Sequence, residues 1–359
     1  MIKKILVVFT GGTIGSALHD GFIAPDEKKG YRLIDEYRKL SPYTFCNIDI
    51  NQDSQYNDNQ IHLQIDTVEP YRILSENLNG THINSLIDCI KKYVSSTDDS
   101  PHNYDGIIIT HGTDTLQYTS AAMGYAFSNT KIPIVIVSSN YILDDKRANG
   151  LDNFYYAVEF ITKVDEAGVF VSYRNGESSQ LIHRATRLLP HLPCDDHLYS
   201  IGNAHYGEFI SSEFIKNEKT TYKNSCFYNP DDIHIQKKSP ILFIRPLPGQ
   251  PYPTIDDKIA AILLDSYHSG TIDTADKAIF KFTKEAKTKN IPVFLTGAEN
   301  RTGYESTKVY NELGIHVLPK ASPIAMYIKL WILSSLKNSN LYNDMLKICG
   351  YDYIESDIQ

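Results

Sequence analysis

Residues 3–16 read KKILVVFTGGTIGS. Ile5, Leu6, Val7, Val8 and Phe9 form a short apolar run rich in β-branched residues, closed by two glycines and two threonines. Such a run, bounded by glycine, reads as a strand buried on both faces, as in a parallel sheet. Gly11 and Gly12 carry no Cβ, so the backbone there can approach a ligand closely. Thr13 follows at the strand's carboxyl end, where open α/β sheets place their ligands. Taken alone, the stretch fits an ordinary βα turn as well.

A second stretch of the same kind repeats the pattern. Gly106, Ile107, Ile108, Ile109 and Thr110 form another apolar run, followed by His111, Gly112, Thr113, Asp114 and Thr115. Asp114 and Thr115 are good N-caps for a helix over residues 116–127. Around these runs, alternation at 61–68 predicts a strand, and Ile83, Leu86, Ile87, Ile90 and Val94 predict an amphipathic helix over 84–95. Strands follow at 132–137 and 169–171, with a helix at 149–161 between them. Residues 16–30 read as a mobile loop over the first strand end, and 47–59, rich in Asn, Asp and Gln, as a surface connection. The polar stretch across 207–238 lacks periodicity and marks an interdomain connection. Beyond it, strands are expected at 241–244 and 292–295, with helices near 255–264, 275–287, 306–313 and 324–336. Strands alternating with helices of this size indicate βαβ units. The expectation is an α/β protein of two α/β domains. A larger one spans 1–212, mainly parallel, with the site at its strand carboxyl ends; a linker covers 213–239 and a smaller α/β domain 240–359.

Composition narrows the function classes. The 359 residues carry a net charge of −8, with 42% hydrophobic and 22% charged residues, ordinary for a globular chain. Phosphate binding relies on clustered Lys and Arg, and no basic run appears, so neither nucleic acid nor an anionic membrane is expected as a partner. No apolar run approaches the roughly 20 residues that span a bilayer. Five scattered cysteines lack metal-type spacing and suit reduced thiols, and the first strand starts too early to leave room for a signal peptide. The expected compartment is the cytoplasm. Dinucleotide binding at residues 11–15 is discounted, because the spacing is not G-x-G-x-x-G.

Two threonine-bearing strand ends suggest chemistry. A threonine hydroxyl is a poor nucleophile until a neighbour takes its proton. A carboxylate can orient that relay, and backbone N–H groups at the turns can stabilise an oxyanion. Acyl transfer at an amide would suit this set. The sequence resembles the bacterial-type L-asparaginases and glutaminases, through TGGTIG at residues 10–15 and HGTDT at 111–115, with weaker similarity at 75–78, 247–249 and 304–336. The early first motif looks like the short cytoplasmic form rather than the related glutamyl-tRNA amidotransferase component, which carries an extra N-terminal domain.

The resemblance implies Thr13 as nucleophile, Thr113 as second catalytic threonine and Asp114 as the carboxylate that works with it. It implies Ser75 on the substrate's α-carboxylate and Glu76 near its amino group, with Gly12 and Gly112 lining the same site. It also implies no metal or organic cofactor, a small amide such as L-asparagine as substrate, and a homodimer or homotetramer. Two positions depart from the family. Its loop tyrosine matches Phe22, which has no hydroxyl. Its lysine falls on Arg187 or Pro190, depending on the gap; Arg187 stays protonated and could stabilise charge without acting as base. His183 and His191 are the substitutes on pKa grounds. The expected function is an asparaginase-like amidohydrolase. The alternative is a catalytically altered protein of the same fold that binds an amino-acid ligand for regulation.

Overall fold

The computed structural model describes residues 1–19, 21–25, 29–46, 60–94, 104–217, 224–297 and 304–354. The apolar run at the start forms β1 (Ile2–Phe9), and the isoleucine run forms β6 (Gly106–Thr110), paired with it in parallel. On its other side β1 pairs in parallel with β5 (His62–Val68), which pairs with β4 (Thr44–Phe45). Beyond β6 come β7 (Pro133–Val137) and β8 (Gly168–Arg174), both parallel. Then β9 (Gln180–Arg184), β10 (Gly207–Ile210) and β11 (Glu213–Lys216) run antiparallel to the edge. Among the described residues this gives nine strands in the order β11-β10-β9-β8-β7-β6-β1-β5-β4. A separate parallel sheet joins β12 (Ile241–Ile244), β13 (Ala261–Leu264), β14 (Val293–Leu295) and β15 (Ile315–Val317). The chain is therefore α/β, with a large, mostly parallel sheet and a smaller parallel one.

Side chains of a strand alternate between faces, and β1 shows why its run is apolar on both. Ile5, Val7 and Phe9 pack with Leu33, Ile34 and Tyr37 of α1 (Lys29–Leu40) and Phe154, Ala157 and Val158 of α4 (Gly150–Glu159). Leu6 and Val8 face the other way, against α2 (Gly80–Val94) and α3 (Leu116–Ala126). That second core continues into Ile241, Ala261 and Leu263 of the small sheet through α6 (Pro323–Ser335). α6 is apolar nearly all round because it is buried between the two sheets. The other face of the small sheet packs on α5 (Lys277–Thr288).

Several expectations shift. The loop read at 16–30 contains a hairpin, β2 (Ser16–His19) with β3 (Phe22–Pro25), and the start of α1. The helix expected near 255–264 is instead a turn leading into β13. Asp256 accepts a hydrogen bond from the Lys258 N–H (2.8 Å), and the following residues pair with β12. The helix expected at 306–313 reduces to a short 3₁₀ turn, Glu305–Thr307. Residues 213–216, read as the start of the linker, form the edge strand β11. Farther on, the connection is strapped along α2: the Asn84 amide exchanges hydrogen bonds with the Ile235 N–H and C=O (3.1 and 2.8 Å). The connection read at 47–59 lies outside the described residues.

Candidate active site

The chain runs from β1 outward to β5 and returns to β6 on the opposite side of β1. The carboxyl ends of β1 and β6 thus flank a switch in strand order, where open α/β sheets form a crevice. The two threonine loops leave the sheet there. Gly11 bridges to Ile73 in parallel, the Gly12 N–H donates to the Ile73 carbonyl (3.0 Å), and the Ile73 N–H donates to the Thr10 carbonyl (3.2 Å). This pairing carries Ser75 into the crevice.

The loops meet backbone to backbone. A Cβ on Gly12, whose φ is +77°, would lie 2.3 Å from the Gly112 nitrogen and 2.4 Å from its Cα. A Cβ on Gly112 would lie 2.5 Å from Ser75 Oγ and 3.1 Å from the Gly12 Cα. Only glycine at both positions permits this approach. The surrounding hydroxyls fix it: Thr10 Oγ1 donates to the Thr110 carbonyl (2.6 Å), Ser16 Oγ to the Gly12 carbonyl (2.7 Å) and Thr115 Oγ1 to the Ser75 carbonyl (2.8 Å). Replacing Gly12 with Ala forces backbone against backbone and holds an L-residue at positive φ. The expected loss is about 3 kcal/mol or more of stability, read as a lowered denaturant midpoint; an unchanged midpoint would show that the loops do not touch.

Thr13 opens a short 3₁₀ turn (Thr13–Gly15) and is half-buried, as is Thr113. Ser75 is buried and donates to Asp114 Oδ2 (3.3 Å), while Asp114 and Glu76 are exposed. The loops carrying Thr13, Ser75, Thr113 and Asp114 therefore meet at one place, joined through Gly12 and Gly112. The side open to solvent carries both carboxylates. Thr10 and Ser16 are positioning residues to which the motifs gave no role, and Thr115, expected as a capping side chain, donates its hydroxyl to the Ser75 carbonyl and makes no cap bond. Their only sequence signal is that a hydroxyl flanks each glycine loop.

His111 supports the loop from beneath. Its Nδ1 lies 2.8 Å from the Gly112 carbonyl, which can only accept, so Nδ1 carries the proton. Nε2 then accepts from the Thr119 hydroxyl (2.8 Å). Burial pushes the His111 pKa down from 6.5 to about 4, with smaller opposing effects from the Gly112 carbonyl and Asp114. Burial likewise lowers buried His183, bonded to Ser200 Oγ (2.8 Å), to about 3. Below pH 6.5 the unfolded chain takes up protons that these folded imidazoles refuse. Stability is thus expected to fall as the pH drops from 6.5 towards about 4, by about 3 kcal/mol for His111 alone. Urea midpoints across that range check this; a flat profile would contradict the buried neutral imidazoles.

The substitutes for the family's lysine and tyrosine part company. Arg187 is buried, but its Nε donates to the Tyr351 carbonyl (2.9 Å) near the chain's C-terminal hook. Burial there lowers its pKa to about 10, and neighbouring Arg184 adds to the effect. Phe22 sits on β3 and is 78% exposed among the described residues. His191 is nearer: its imidazole feels the Asp114 carboxylate, and its buried Nε2 has no hydrogen-bond partner among the described residues. Burial holds its pKa below 6.5 against the pull of Asp114, Asp195 and Asp196.

Residues 4–189 match the asparaginase family's N-terminal region. Among curated relatives, a component of the glutamyl-tRNA(Gln) amidotransferase of Thermoplasma volcanium is 26% identical over 68% of this chain and 53% of that protein. The same component from Pyrococcus abyssi is 22% identical over 94% of this chain and 73% of that protein. The chain thus spans about half the length of the first relative. Among solved structures, the thermostable L-asparaginase of Thermococcus kodakarensis has a TM-score of 0.72 at 21% identity, covering 99% of this chain and 100% of that one. L-asparaginase I of Vibrio cholerae has a TM-score of 0.70 at 20% identity, covering 96% of each. At such identities these structures share the fold. The family match spans more than half the residues and includes both threonine loops, and on that ground the chain belongs to the asparaginase family.

Proposed function

We propose that this chain hydrolyses the side-chain amide of L-asparagine, or a related carboxamide, to the acid and ammonia. The observation that carries the reading is the close backbone approach of Gly12 and Gly112, which supports a shared site for the Thr13 loop and the Thr113–Asp114 loop. In this reading Thr13 Oγ attacks the carboxamide carbon and forms an acyl-enzyme, and water then releases the acid. Thr113 and Asp114 take and return the proton, and backbone N–H groups of the two loops stabilise the oxyanion. Ser75 grips the α-carboxylate and Glu76 the amino group. His191 is the side chain that would replace the family's lysine, because its Nε2 has no hydrogen-bond partner among the described residues and its imidazole feels the Asp114 carboxylate. A homodimer or homotetramer in the cytoplasm fits this reading, with a neighbour's C-terminal unit covering the open side at Asp114 and Glu76.

The second reading is regulatory binding of an amino acid by a catalytically altered site. It is favoured by Arg187, whose Nε donates to the Tyr351 carbonyl and which has no hydrogen bond to the relay among the described residues. A third outcome, glutamine hydrolysis that feeds ammonia to a partner, is suggested by the amidotransferase components among the relatives. Ammonia release from L-asparagine, L-glutamine and small amides separates them, combined with calorimetry of L-aspartate. Release from asparagine supports the first reading. Aspartate binding without release from any amide supports the second, and preference for glutamine the third.

A further inference from the structure

Cys226 and Cys349 stand far apart in the sequence, and the fold sets them side by side. The Ser225 and Cys226 N–H groups both donate to the Ile348 carbonyl (2.8 and 3.1 Å), and the Ile348 N–H donates to Ser225 Oγ (2.8 Å). The Tyr351 N–H donates to Asn224 Oδ1 (2.8 Å), so the two segments are strapped together over several residues. Cys226 Sγ lies 3.6 Å from the Ile348 carbonyl and Cys349 Sγ lies 3.5 Å from Ser128 Oγ, so the paired segments hold both thiols at one seam, near enough to influence each other. Cys226 is half-buried and Cys349 fully buried. We propose that Cys226 and Cys349 are a hydroperoxide-responsive thiol pair that closes to a disulfide, tying the C-terminal hook to the segment that enters the small sheet.

The surroundings assign the roles. The neighbouring Cys349 thiol and the Lys329 ammonium hold the Cys226 thiol below its ordinary range, against burial and the Asp352 carboxylate. The neighbouring Cys226 thiol, with burial, pushes the Cys349 thiol well up. Cys226 is also the more accessible of the two, with Cys349 fully buried, so Cys226 is the sulfur that a peroxide reaches, and its thiolate is the nucleophile. Its sulfur attacks a peroxide oxygen, the O–O bond breaks, and Cys226 becomes a sulfenic acid as hydroxide leaves. The Cys349 sulfur then attacks the Cys226 sulfur and displaces the sulfenic oxygen; with the thiol proton this departs as water. Two thiols are oxidised, one peroxide is reduced to two waters, and a thiol reductant reverses the bond. The cross-link would close a loop spanning nearly the whole C-terminal unit, which raises resistance to unfolding.

The test treats the full chain with stoichiometric hydrogen peroxide at neutral pH, alkylates the remaining thiols and maps the peptides by mass. The expected result is a peptide pair joined through Cys226 and Cys349, a fall from five free thiols to three, and reversal by dithiothreitol. Cys226→Ser removes the cross-link. Cys349→Ser leaves Cys226 as a sulfenic acid that a dione reagent traps. The proposal is overturned if both cysteines remain fully alkylatable while exposed Cys194 oxidises first. It is equally overturned if Cys226 forms no trappable sulfenic acid in folded Cys349→Ser protein.

Discussion

Thr13→Ala lowers kcat/KM for the carboxamide substrate by about 10³-fold or more, while the folded protein still binds L-aspartate. In the proposed reading, removing the hydroxyl deletes the group that forms the acyl-enzyme, and such losses act on the transition state rather than on ground-state binding. The fold should not notice. Thr13 is half-buried on a short turn whose shape depends on Gly12 and on Ser16 Oγ bonding back to the Gly12 carbonyl. Ammonia assays with calorimetry separate the two effects. Equal loss of aspartate binding would mean that the residue shapes the pocket instead of reacting in it. Undiminished turnover would place the nucleophile elsewhere.

The largest expected effect on stability lies away from the crevice. Lys329, on the helix buried between the sheets, pairs with Asp352 at 2.8 Å, and both side chains are 0% exposed. The lysine also donates to the carbonyls of Met345 and Lys347, and Asp352 accepts from the N–H groups of Cys349 and Tyr353. Burial already pushes the Asp352 pKa up, with Lys329 opposing that push. Lys329→Met removes the cation and strands the carboxylate, costing about 3–5 kcal/mol. Adding Asp352→Asn should return part of that loss, because the neutral amide keeps an acceptor for the two N–H groups without a buried charge. Denaturant midpoints of the two singles and the double give the coupling. A single-mutant loss below about 1 kcal/mol would show that water reaches the pair.

Much of the fold was legible because its central strands are extreme. Ile5 to Phe9 and Ile107 to Ile109 are apolar on both faces, a pattern only a covered parallel sheet requires. The short elements were not. β10 and β11 are four residues each within polar sequence, and pairing at a sheet edge, not composition, makes them strands. Ile255, Ile259 and Leu263 share a helical spacing, yet the Asp256 turn and pairing with β12 make the end of that stretch a strand. The three-residue β15 carries too little pattern to be read at all.

At the site, the motifs pointed to Thr13, Thr113, Asp114, Gly12 and Gly112, and the structure brings the loops that carry these together with Ser75. Glu76 stays on the solvent side. What sequence could not supply was direction. Arg187 and His191 sit four positions apart in one segment, yet Arg187 donates to the Tyr351 carbonyl while the His191 ring packs edge-on against Tyr173. The cysteines offered no spacing signal, because residues 226 and 349 meet only through the return of the C-terminal hook.

The most direct measurement is a rapid denaturing quench of the protein during turnover of L-asparagine, followed by peptide mass mapping. The account predicts a β-aspartyl adduct on the peptide that carries Thr13, absent from Thr13→Ala protein. An adduct on any other residue, or ammonia release that persists in Thr13→Ala protein, would contradict it.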